Sequence, residues 1–435
     1  MTPAYEPLLS RGMTGVCRDG WTEALAEYRA DGGYAGLEKV LREHAPAQVI
    51  ALVKASGLRG RGGAGFPAGV KWDFVPKEKR GPHYVCVNAD ESEPGTFNNR
   101  PILEQRPHLL LEGTSICAYA VGAETAYVYI RGEYHEAVRQ VERAIAEAYA
   151  AGLLGRNILG STFSLDVYVH VGAGAYICGE ETALLESIEG KRGYPRLRPP
   201  FPAVEGLYGR PTVVNNVETL ALAALIFQRG VEWFRSIGTP KSPGPKLFSI
   251  SGHVARPGNY EAPLGIPLRT LIYDMAGGIR DGRRFKAAFP GGSSVPMLFE
   301  DELDVTMDYE APREHGTFLG APGVIVMDET VCMVWAALNL MHFYWDESCG
   351  QCTPCREGTG WMHRILRRLE HGGGRREDVD LLLDICGKIA GRSICALGEF
   401  ATASLVRTIP RFRDEFLAHA DHGGCPFEKP YLKLE

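Results

Sequence analysis

Three cysteines stand at intervals of three residues in the C-terminal quarter of the chain. Cys349, Cys352 and Cys355 lie in the segment ESCGQCTPCREG, where Gly350 and Pro354 are typical of a turn. Thiolates this close together can converge on one centre. Zinc sites usually pair their ligands two and two, whereas CxxCxxC with one remote cysteine suits a four-iron cubane. The spacing therefore favours a [4Fe–4S] cluster over zinc, and zinc over ordinary buried cysteines.

Two later cysteines are candidates for the fourth ligand. Cys386 falls on the apolar face of a predicted helix, which predicts packing in the core. Cys395 follows that helix in a predicted loop and is free to turn toward a cluster, so it is the predicted fourth ligand. His342 and His363 could complete a zinc site, but neither stands in a paired pattern, and both are predicted to be surface or core residues.

A glycine-rich segment, GLRGRGGAGFPAGVKW, spans residues 57–72. Glycines permit positive φ and let backbone amides approach a phosphate. The GxGxxG match at 60–65 is weak by itself, because the preceding AQVIALVKAS is helical rather than strand-like. A plain surface loop would explain the glycines alone. Phe66, Lys71 and Phe74 add aromatic faces and a cation, which favours a ligand site.

An acidic segment, NADESEPGTF, ends a predicted buried strand at residues 88–97. Ligands of open α/β sheets bind beyond such strand ends. A solvated acidic loop explains this segment equally well when it is considered alone. Its side chains that could accept hydrogen bonds from ribityl, ribose or amide groups are Asn88, Asp90, Glu91 and Glu93.

A fourth segment, GAGAYICGEETALLES, covers residues 172–187. Glu180 and Glu181 stand in the first turn of a predicted helix, where complementing the helix dipole would be sufficient reason for them. Cys178 has no histidine near it in sequence, so it is predicted to be structural rather than nucleophilic.

The composition limits what the chain can do. It has 435 residues, 45% hydrophobic and 23% charged, with a net charge of −6 and eleven cysteines. A negative net charge does not predict electrostatic attraction to nucleic acid or to an anionic membrane surface. The longest apolar run, residues 331–345, is too short to span a bilayer, and residues 1–15 show no secretory signal. Without export, the cysteines are predicted to be thiols or metal ligands.

The elements that must position these segments fall into three regions. Residues 1–240 alternate helical and strand patterns, which predicts α/β layers with a largely parallel sheet. A Pro/Gly-containing linker at 239–246 leads into residues 241–330, where strand, strand, helix and strand predict a small α+β unit. Residues 331–435 are helical almost throughout and contain the cysteine motif.

ESCGQCTPCREG and GAGAYICGEETALLES resemble the signature motifs of the NADH-binding flavoprotein (51-kDa) subunit of bacterial respiratory complex I, NADH:quinone oxidoreductase. The glycine-rich segment, NADESEPG and TVVNNVETL resemble further hallmarks, in the same order over nearly the whole chain. The resemblance implies a Rossmann-like FMN- and NADH-binding domain with N-terminal helices in 1–240. It also implies a ubiquitin-like β-grasp (SLBB-type) domain in 241–330 and an all-α helical bundle carrying a [4Fe–4S] cluster in 331–435.

The resemblance also implies site residues, with no catalytic side chain because the hydride passes from cofactor to cofactor. Matching the glycine-rich wall of a shared pocket are Gly60, Arg61, Gly62, Gly63, Gly65 and Lys71. Matching positions that hold FMN are Asn88, Asp90, Glu91, Tyr176, Gly179, Glu180, Asn215, Asn216 and Thr219. Matching NADH contacts are Phe66, Phe74, Phe201, Glu93 and Glu181, and matching the cluster ligands are Cys349, Cys352, Cys355 and Cys395.

Two positions depart from the family pattern. Arg198 stands where relatives often have a lysine near the adenosine end, so the charge is kept but the hydrogen-bond geometry differs. Many relatives have a cysteine immediately before the asparagine of NADE, whereas here that residue is Val87 and the cysteine is Cys86. A shift of one residue in a strand turns the thiol to the opposite face, which predicts that this thiol is not catalytic.

The implied reaction is oxidation of NADH by hydride transfer to FMN, with single electrons passing through the cluster toward quinone. Implied partners are a small thioredoxin-like [2Fe–2S] (24-kDa) subunit and a large iron–sulfur (75-kDa) subunit. The implied location is the peripheral arm on the cytoplasmic side of the bacterial inner membrane.

Two alternatives remain at the level of sequence. One is the diaphorase subunit of an NAD-dependent hydrogenase or formate dehydrogenase. Such subunits often carry an extra thioredoxin-like iron–sulfur segment, for which 435 residues are expected to leave no room. The other is a non-catalytic zinc-binding scaffold, which would leave the glycine-rich and flavin-type motifs without a role.

Overall fold

The computed structural model describes residues 7–10, 22–78 and 81–427. Most of residues 1–15, where the sequence predicts no secretory signal, lies outside these ranges. No helix in the described ranges is long and apolar enough to cross a membrane.

The first part of the chain alternates helices and strands, as its pattern predicts. Its elements are α1 (Leu25–Ala30), α2 (Ala35–Glu43), α3 (Pro46–Ser56), α4 (Ala68–Asp73), β1 (Tyr84–Ala89), α5 (Asn99–Gln105), α6 (Pro107–Val121), β2 (Thr125–Ile130), α7 (His135–Ala150), β3 (Asp166–Val171), α8 (Glu181–Ile188), β4 (Thr212–Asn216), α9 (Val217–Arg229) and α10 (Val231–Arg235).

The four strands form one sheet in the order β3-β2-β1-β4, and every neighbouring pair is parallel. The predicted parallel sheet is therefore confirmed. Because parallel strands end at the same edge, the segments after β1, β3 and β4 meet there. Asn88 on β1 is in register with Asn216 on β4, which brings the acidic segment beside the start of α9.

Helices α6 and α9 pack against each other and are buried along most of their lengths. A helix that is buried on nearly all sides has no solvent-exposed polar face. The small and apolar residues of α6 and α9 are consistent with such burial. Helix α3 begins with Pro46 in its first turn and ends at Gly57, which has φ +69°. The proline and the left-handed glycine explain why the chain breaks here into separate helices and then turns into the glycine-rich segment.

The elements of the middle part are β5 (Pro245–Gly252), β6 (Gly258–Pro263), β7 (Ile266–Pro267), β8 (Phe285–Phe289), β9 (Leu298–Phe299), β10 (Thr306–Met307), α11 (Ala311–Glu314) and β11 (Gly323–Asp328). They form a second, five-stranded mixed sheet in the order β6-β5-β11-β8-β9, with a separate β7–β10 pair. The predicted strand, strand, helix and strand correspond to β5, β6, a π-helical turn at Thr270–Met275, and β8. The prediction omitted β11, which lies between β5 and β8 and so occupies the centre of the sheet.

The last part is helical, as predicted. Cys386 is buried, with its Sγ 3.6 Å from Met362 Sδ, so its predicted place in the core is confirmed. His363 is buried and stacks on Trp345, whereas His342 is exposed beside Asp346. The helices are α12 (Met333–Glu347), α13 (Thr353–His371), α14 (Glu377–Ile389), α15 (Leu397–Val406), α16 (Thr408–Arg411) and α17 (Arg413–His422).

Candidate functional site

A cavity of about 910 Å³ lies at the carboxyl edge of the parallel sheet. This volume is at the upper end of the range for small-molecule sites, roughly 300–1,000 Å³, so it is large enough for a nucleotide cofactor and part of a second ligand. Residues from all three parts of the chain line it.

Most of the site residues predicted from sequence meet in this cavity. The exceptions among the predicted cofactor residues are Phe74 and Phe201, whose side chains are 55% and 56% exposed and lie outside the lining. Phe74 still touches the rim, because its ring centroid is 6.0 Å from that of Phe66. The predicted residues in the lining are Gly60, Arg61, Gly62, Gly63, Gly65, Phe66, Lys71, Asn88, Asp90, Glu91, Glu93, Tyr176, Gly179, Glu180, Glu181, Asn215, Asn216, Thr219 and Cys395.

Sequence reasoning missed a second wall, supplied mainly by loops of the middle part. These loops carry no local motif, so no sequence signal marked them. Ser92 and Thr96 lie within the acidic segment and Asn98 and Asn99 follow it directly, so these four residues were closer to detection. The other missed lining residues that carry polar or bulky side chains are Ser294, Tyr309, Arg313, Thr317, Phe318, Leu319, Leu397 and Phe400.

The glycine-rich segment is a closed loop that follows helix α3, so it is not the strand–loop–helix fingerprint of dinucleotide-binding folds. Gly60 N donates to Phe66 O at 2.8 Å, and the Tyr309 hydroxyl donates to Gly60 O at 2.7 Å. Gly65 has φ +72°, and a Cβ there would lie 2.4 Å from the Tyr309 ring. Only glycine fits this position, because both the backbone and the neighbouring ring exclude a side chain.

Arg61 holds this loop in place rather than presenting a charge to the cavity. Its guanidinium is buried and donates to the carbonyls of Pro243 at 2.8 Å and Pro245 at 3.2 Å. Its backbone N–H donates to Thr219 Oγ1 at 2.9 Å. The loop is thus tied both to the linker and to α9.

Asp90 is the clearest unused polar group in the lining. Its Oδ2 accepts from Ser92 Oγ at 3.1 Å, whereas its buried Oδ1 has no hydrogen-bond partner among the described residues. Burial raises the pKa of this carboxyl to about 7. A buried acceptor without a donor is costly, and a ligand hydroxyl would satisfy it.

Glu91 and Glu93 line the same wall but already have partners. Glu91 accepts from the backbone N–H groups of Asn99 at 2.7 Å and Arg100 at 3.0 Å, so its carboxylate caps α5. Glu93 accepts from the Tyr176 hydroxyl at 2.8 Å and from Ser294 N at 2.8 Å. Glu93 therefore joins the parallel-sheet part of the cavity to the middle part.

The two glutamates at the start of α8 differ in role. Glu180 accepts from Thr182 N and Ala183 N, both at 2.9 Å, which is the capping role that the sequence allowed. Glu181 instead pairs with Lys71 Nζ at 2.7 Å and Arg198 Nη1 at 3.1 Å. Burial alone would raise the pKa of Glu181, but the two cations outweigh it and hold the pKa below its ordinary value.

The four predicted cluster cysteines lie in one packed group beside the cavity. Cys355 is buried, and Cys349, Cys352 and Cys395 are half-buried against the same cluster of side chains. Cys395 lies in the predicted loop between α14 and α15 and also lines the cavity. Burial raises its pKa to about 12, so an uncompensated thiolate would be costly there. Four thiols in one group are the donor set that a [4Fe–4S] cluster takes, and its iron would compensate the thiolate charge.

The structure separates Cys86 from Val87 as the one-residue shift predicts. Cys86 is buried among the residues that also include Cys178 and Tyr129, whereas Val87 belongs to the core on the other side of the sheet. Neither Cys86 nor Cys178 lines the cavity.

Comparison with known proteins gives matches over nearly the whole chain. Three family models match: the Nuo51 FMN-binding domain over residues 53–224, an SLBB domain over 247–298, and the NADH-ubiquinone oxidoreductase-F iron–sulfur binding region over 335–419. The F 2 subunit of NADH-quinone oxidoreductase from Rhizobium meliloti is 54% identical, covering 97% of this chain and 100% of its own length. The F subunit of the Mycobacterium tuberculosis H37Rv enzyme is 56% identical, covering 94% and 93%.

This chain belongs to the family of NADH-quinone oxidoreductase F subunits. It is an oxidoreductase subunit with an FMN-binding domain, an SLBB domain and a [4Fe–4S]-binding region, and NADH is its substrate. The resemblance inferred from the motifs is thereby confirmed, and the zinc-scaffold alternative loses its support.

Solved structures give the hydrogenase alternative less support than the F subunits receive. A chain of the NAD⁺-reducing [NiFe]-hydrogenase in the air-oxidized state matches with a TM-score of 0.82 at 34% identity, covering 94% of this chain and 69% of that one. In the H₂-reduced state the match has a TM-score of 0.79 at 37% identity, covering 89% of this chain but only 63% of the hydrogenase chain. Both identities are well below those to the F subunits.

Proposed function

We propose that the cavity binds FMN and NADH side by side and that the four motif cysteines hold the [4Fe–4S] cluster next to it. When bound, FMN accepts a hydride from NADH and releases electrons singly, and a [4Fe–4S] cluster relays single electrons. The chain itself supplies binding and orientation, so no side chain is assigned a catalytic role.

The residues present fit these groups. The glycine-rich loop and Gly179 allow close backbone approach, and the unused Oδ1 of Asp90 is an acceptor for a ribityl hydroxyl. The Asn88 side chain is fixed in the cavity wall, because its Nδ2 donates to Gly179 O at 2.8 Å. The Lys71–Glu181–Arg198 group provides a cation-rich rim for the dinucleotide, with Phe66 and the exposed Phe74 as stacking surfaces.

The observation that carries the proposal is the position of Cys395. It lines the cofactor cavity and packs with the other three motif cysteines, so the two sites share one wall. A second connection runs through Glu347, whose Oε2 accepts from Tyr176 N at 2.9 Å two residues before Cys349. Cofactor cavity and thiol group are therefore held in a fixed relation.

In detail, we assign a Rossmann-like domain to residues 1–240, a ubiquitin-like β-grasp domain to 241–330 and a helical bundle to 331–435. Two cores fit this division, one from Leu8 to Leu247 and a second from Phe248 to Val326, while a third joins residues of the middle part to the helical part. The proposed partners are the small thioredoxin-like [2Fe–2S] (24-kDa) and large iron–sulfur (75-kDa) subunits. The proposed location of this chain and its partners is the peripheral arm on the cytoplasmic side of the bacterial inner membrane. Electrons would pass from there toward quinone.

An anaerobic NADH titration of the purified chain tests the cofactor assignment. We expect NADH, but not NADPH, to bleach the flavin and cluster absorbance, with one FMN and four irons per chain. A folded, metal-loaded chain without flavin that does not respond to NADH would contradict it.

The variant Cys395→Ala tests the ligand assignment. NADH oxidation by an artificial acceptor at the flavin should persist, whereas transfer to the physiological partner should be lost. Cys386→Ala is the matched control, because it removes a buried thiol of the same helical part that lies outside the four-cysteine group. Undiminished transfer to the partner by the Cys395 variant would refute the assignment.

A further inference from the structure

Four metal-ligating side chains meet at the opposite end of the helical part from the cysteine motif. Cys332 stands at the N-terminus of α12, and the motif begins just beyond the C-terminus of that helix, about 22 Å away along a helix of this length. Cys332 is joined there by Glu370 near the end of α13, His419 on α17 and Cys425 beyond α17. One potential ligand atom from each side chain lies within 4.8 Å of every other.

Four of the six distances between these atoms lie within about 0.3 Å of those in a tetrahedral zinc site. Tetrahedral bonds of ordinary length place two sulfurs about 3.8 Å apart, sulfur and nitrogen about 3.5 Å, sulfur and oxygen about 3.6 Å, and nitrogen and oxygen about 3.4 Å. The two sulfurs are 3.8 Å apart, and Cys332 Sγ lies 3.2 Å from His419 Nε2. Cys332 Sγ lies 3.8 Å from Glu370 Oε2, and His419 Nε2 lies 3.4 Å from the same oxygen.

The surroundings orient these ligands for a metal. His419 Nδ1 is 2.7 Å from Glu415 O, and a proton on Nδ1 donated to this carbonyl leaves the Nε2 lone pair facing the other three groups. This is the usual arrangement around metal-bound histidine. Cys425 N donates to Glu370 O at 3.0 Å, which turns the chain after α17 back toward α13.

Two metal-free explanations fit the geometry less well. A disulfide requires sulfurs about 2.05 Å apart, well below the 3.8 Å between Cys332 and Cys425. A direct hydrogen bond between His419 and Glu370 would prefer about 2.7–3.2 Å, below the 3.4 Å here. Both distances are also those expected between two ligands of one zinc ion, and hydrogen bonds from the two thiols are the metal-free alternative that metal analysis tests.

We propose that Cys332, Glu370, His419 and Cys425 bind one Zn²⁺ ion as a structural site distinct from the iron–sulfur cluster. Two thiolates with an imidazole and a carboxylate suit zinc, and four protein ligands leave no open position for chemistry. Binding displaces the two thiol protons to solvent. The ion fastens α12, α13, α17 and the C-terminal segment to one another at the end remote from the cluster.

Metal analysis of the full-length chain with its cofactors, purified without chelators or metal-affinity resin, tests the site. We expect one zinc per chain in addition to the cluster iron, and a zinc K-edge absorption spectrum fitted by two sulfur and two nitrogen or oxygen ligands. In the Cys425→Ser variant, the zinc affinity measured by competition with a chelator should fall at least about tenfold, because loss of even an outer-shell partner costs that much in affinity. Iron and flavin content should not change.

Cys386→Ser is the matched control and should keep its zinc, since that buried thiol lies outside the group. The spectrum of the unaltered chain needs no variant, so a folding defect cannot obscure the result. Absence of zinc even after incubation with a zinc salt, an unchanged zinc affinity in the Cys425 variant, or a Cys332–Cys425 disulfide in the native chain would each overturn the proposal. The proposed NADH reaction would stand in all three cases, because the cofactor cavity includes none of these residues.

Discussion

We expect the charged Asp90 carboxylate to lower the stability of the FMN-free chain and to strengthen FMN binding. The variant Asp90→Asn separates these two effects. Its carboxyl is buried in the cavity wall, with Oδ1 lacking a hydrogen-bond partner among the described residues. The asparagine side chain has the same shape and can still accept from Ser92. It cannot carry the negative charge.

The size of the effect follows from the pKa. Burial raises the pKa of Asp90 from 3.8 to about 7, a difference of about three units at 1.36 kcal/mol each, or up to about 4 kcal/mol. The pKa of Asp90 is higher in the folded chain than in the unfolded chain. The protonated carboxyl therefore contributes fully to the free energy of unfolding below about pH 4, and this contribution is lost as the pH rises through about 7. Above that pH the FMN-free chain carries the full cost of a buried charge, and the asparagine variant does not.

Thermal unfolding of the full chain without added FMN, at pH 5 and pH 8, measures this difference. We expect Asp90→Asn to raise the midpoint of the FMN-binding domain by several degrees at pH 8 and by much less at pH 5. FMN affinity should move the other way and weaken about 10- to 100-fold, since a hydrogen bond to a charged acceptor contributes about 1.5–3 kcal/mol.

Glu91→Gln is the matched control on the same loop. Its carboxylate accepts from two backbone N–H groups, so an amide would set a donor against a donor and cost about 1–3 kcal/mol. Burial raises the pKa of Glu91 as well, so removing its charge offsets part of that cost, and Glu91→Gln should stabilise the chain much less than Asp90→Asn at pH 8. An Asp90 variant that is no more stable than the unaltered chain, or equally stabilised at both pH values, would refute the burial argument.

Two further predictions concern packing. Lys246→Met should destabilise the chain by about 3–5 kcal/mol, because it leaves the fully buried Glu218 carboxylate without its cationic partner. Adding Glu218→Gln, which still accepts from the Leu247 N–H, should restore most of the loss in denaturant titrations; no recovery would mean that the pair is not coupled. Gly65→Ala should abolish FMN retention after gel filtration, because its φ of +72° and the nearby Tyr309 ring leave no room for a methyl group, and retention at the unaltered level would contradict this.

The sequence by itself determined the local features and the family. CxxCxxC places three thiols on one turn whatever surrounds it, and the alternating patterns around β1, β2 and β3 specify strands that crossover helices must make parallel. The apolar face of α14 correctly placed Cys386 in the core and left Cys395 as the predicted fourth cluster ligand. These features follow from neighbours in the chain, where spacing alone sets geometry.

The tertiary structure decided which distant residues meet. Ser294 and Tyr309 complete the cavity without any motif, because their loops are brought there by the packing of the middle part against the parallel sheet. Phe201 matched a family position yet lies outside the lining. Cys332 and Cys425 are 93 residues apart and meet only because α12 and α17 pack together. Side chains converge in this way through helix packing and loop closure, which depend on the whole core rather than on any local pattern.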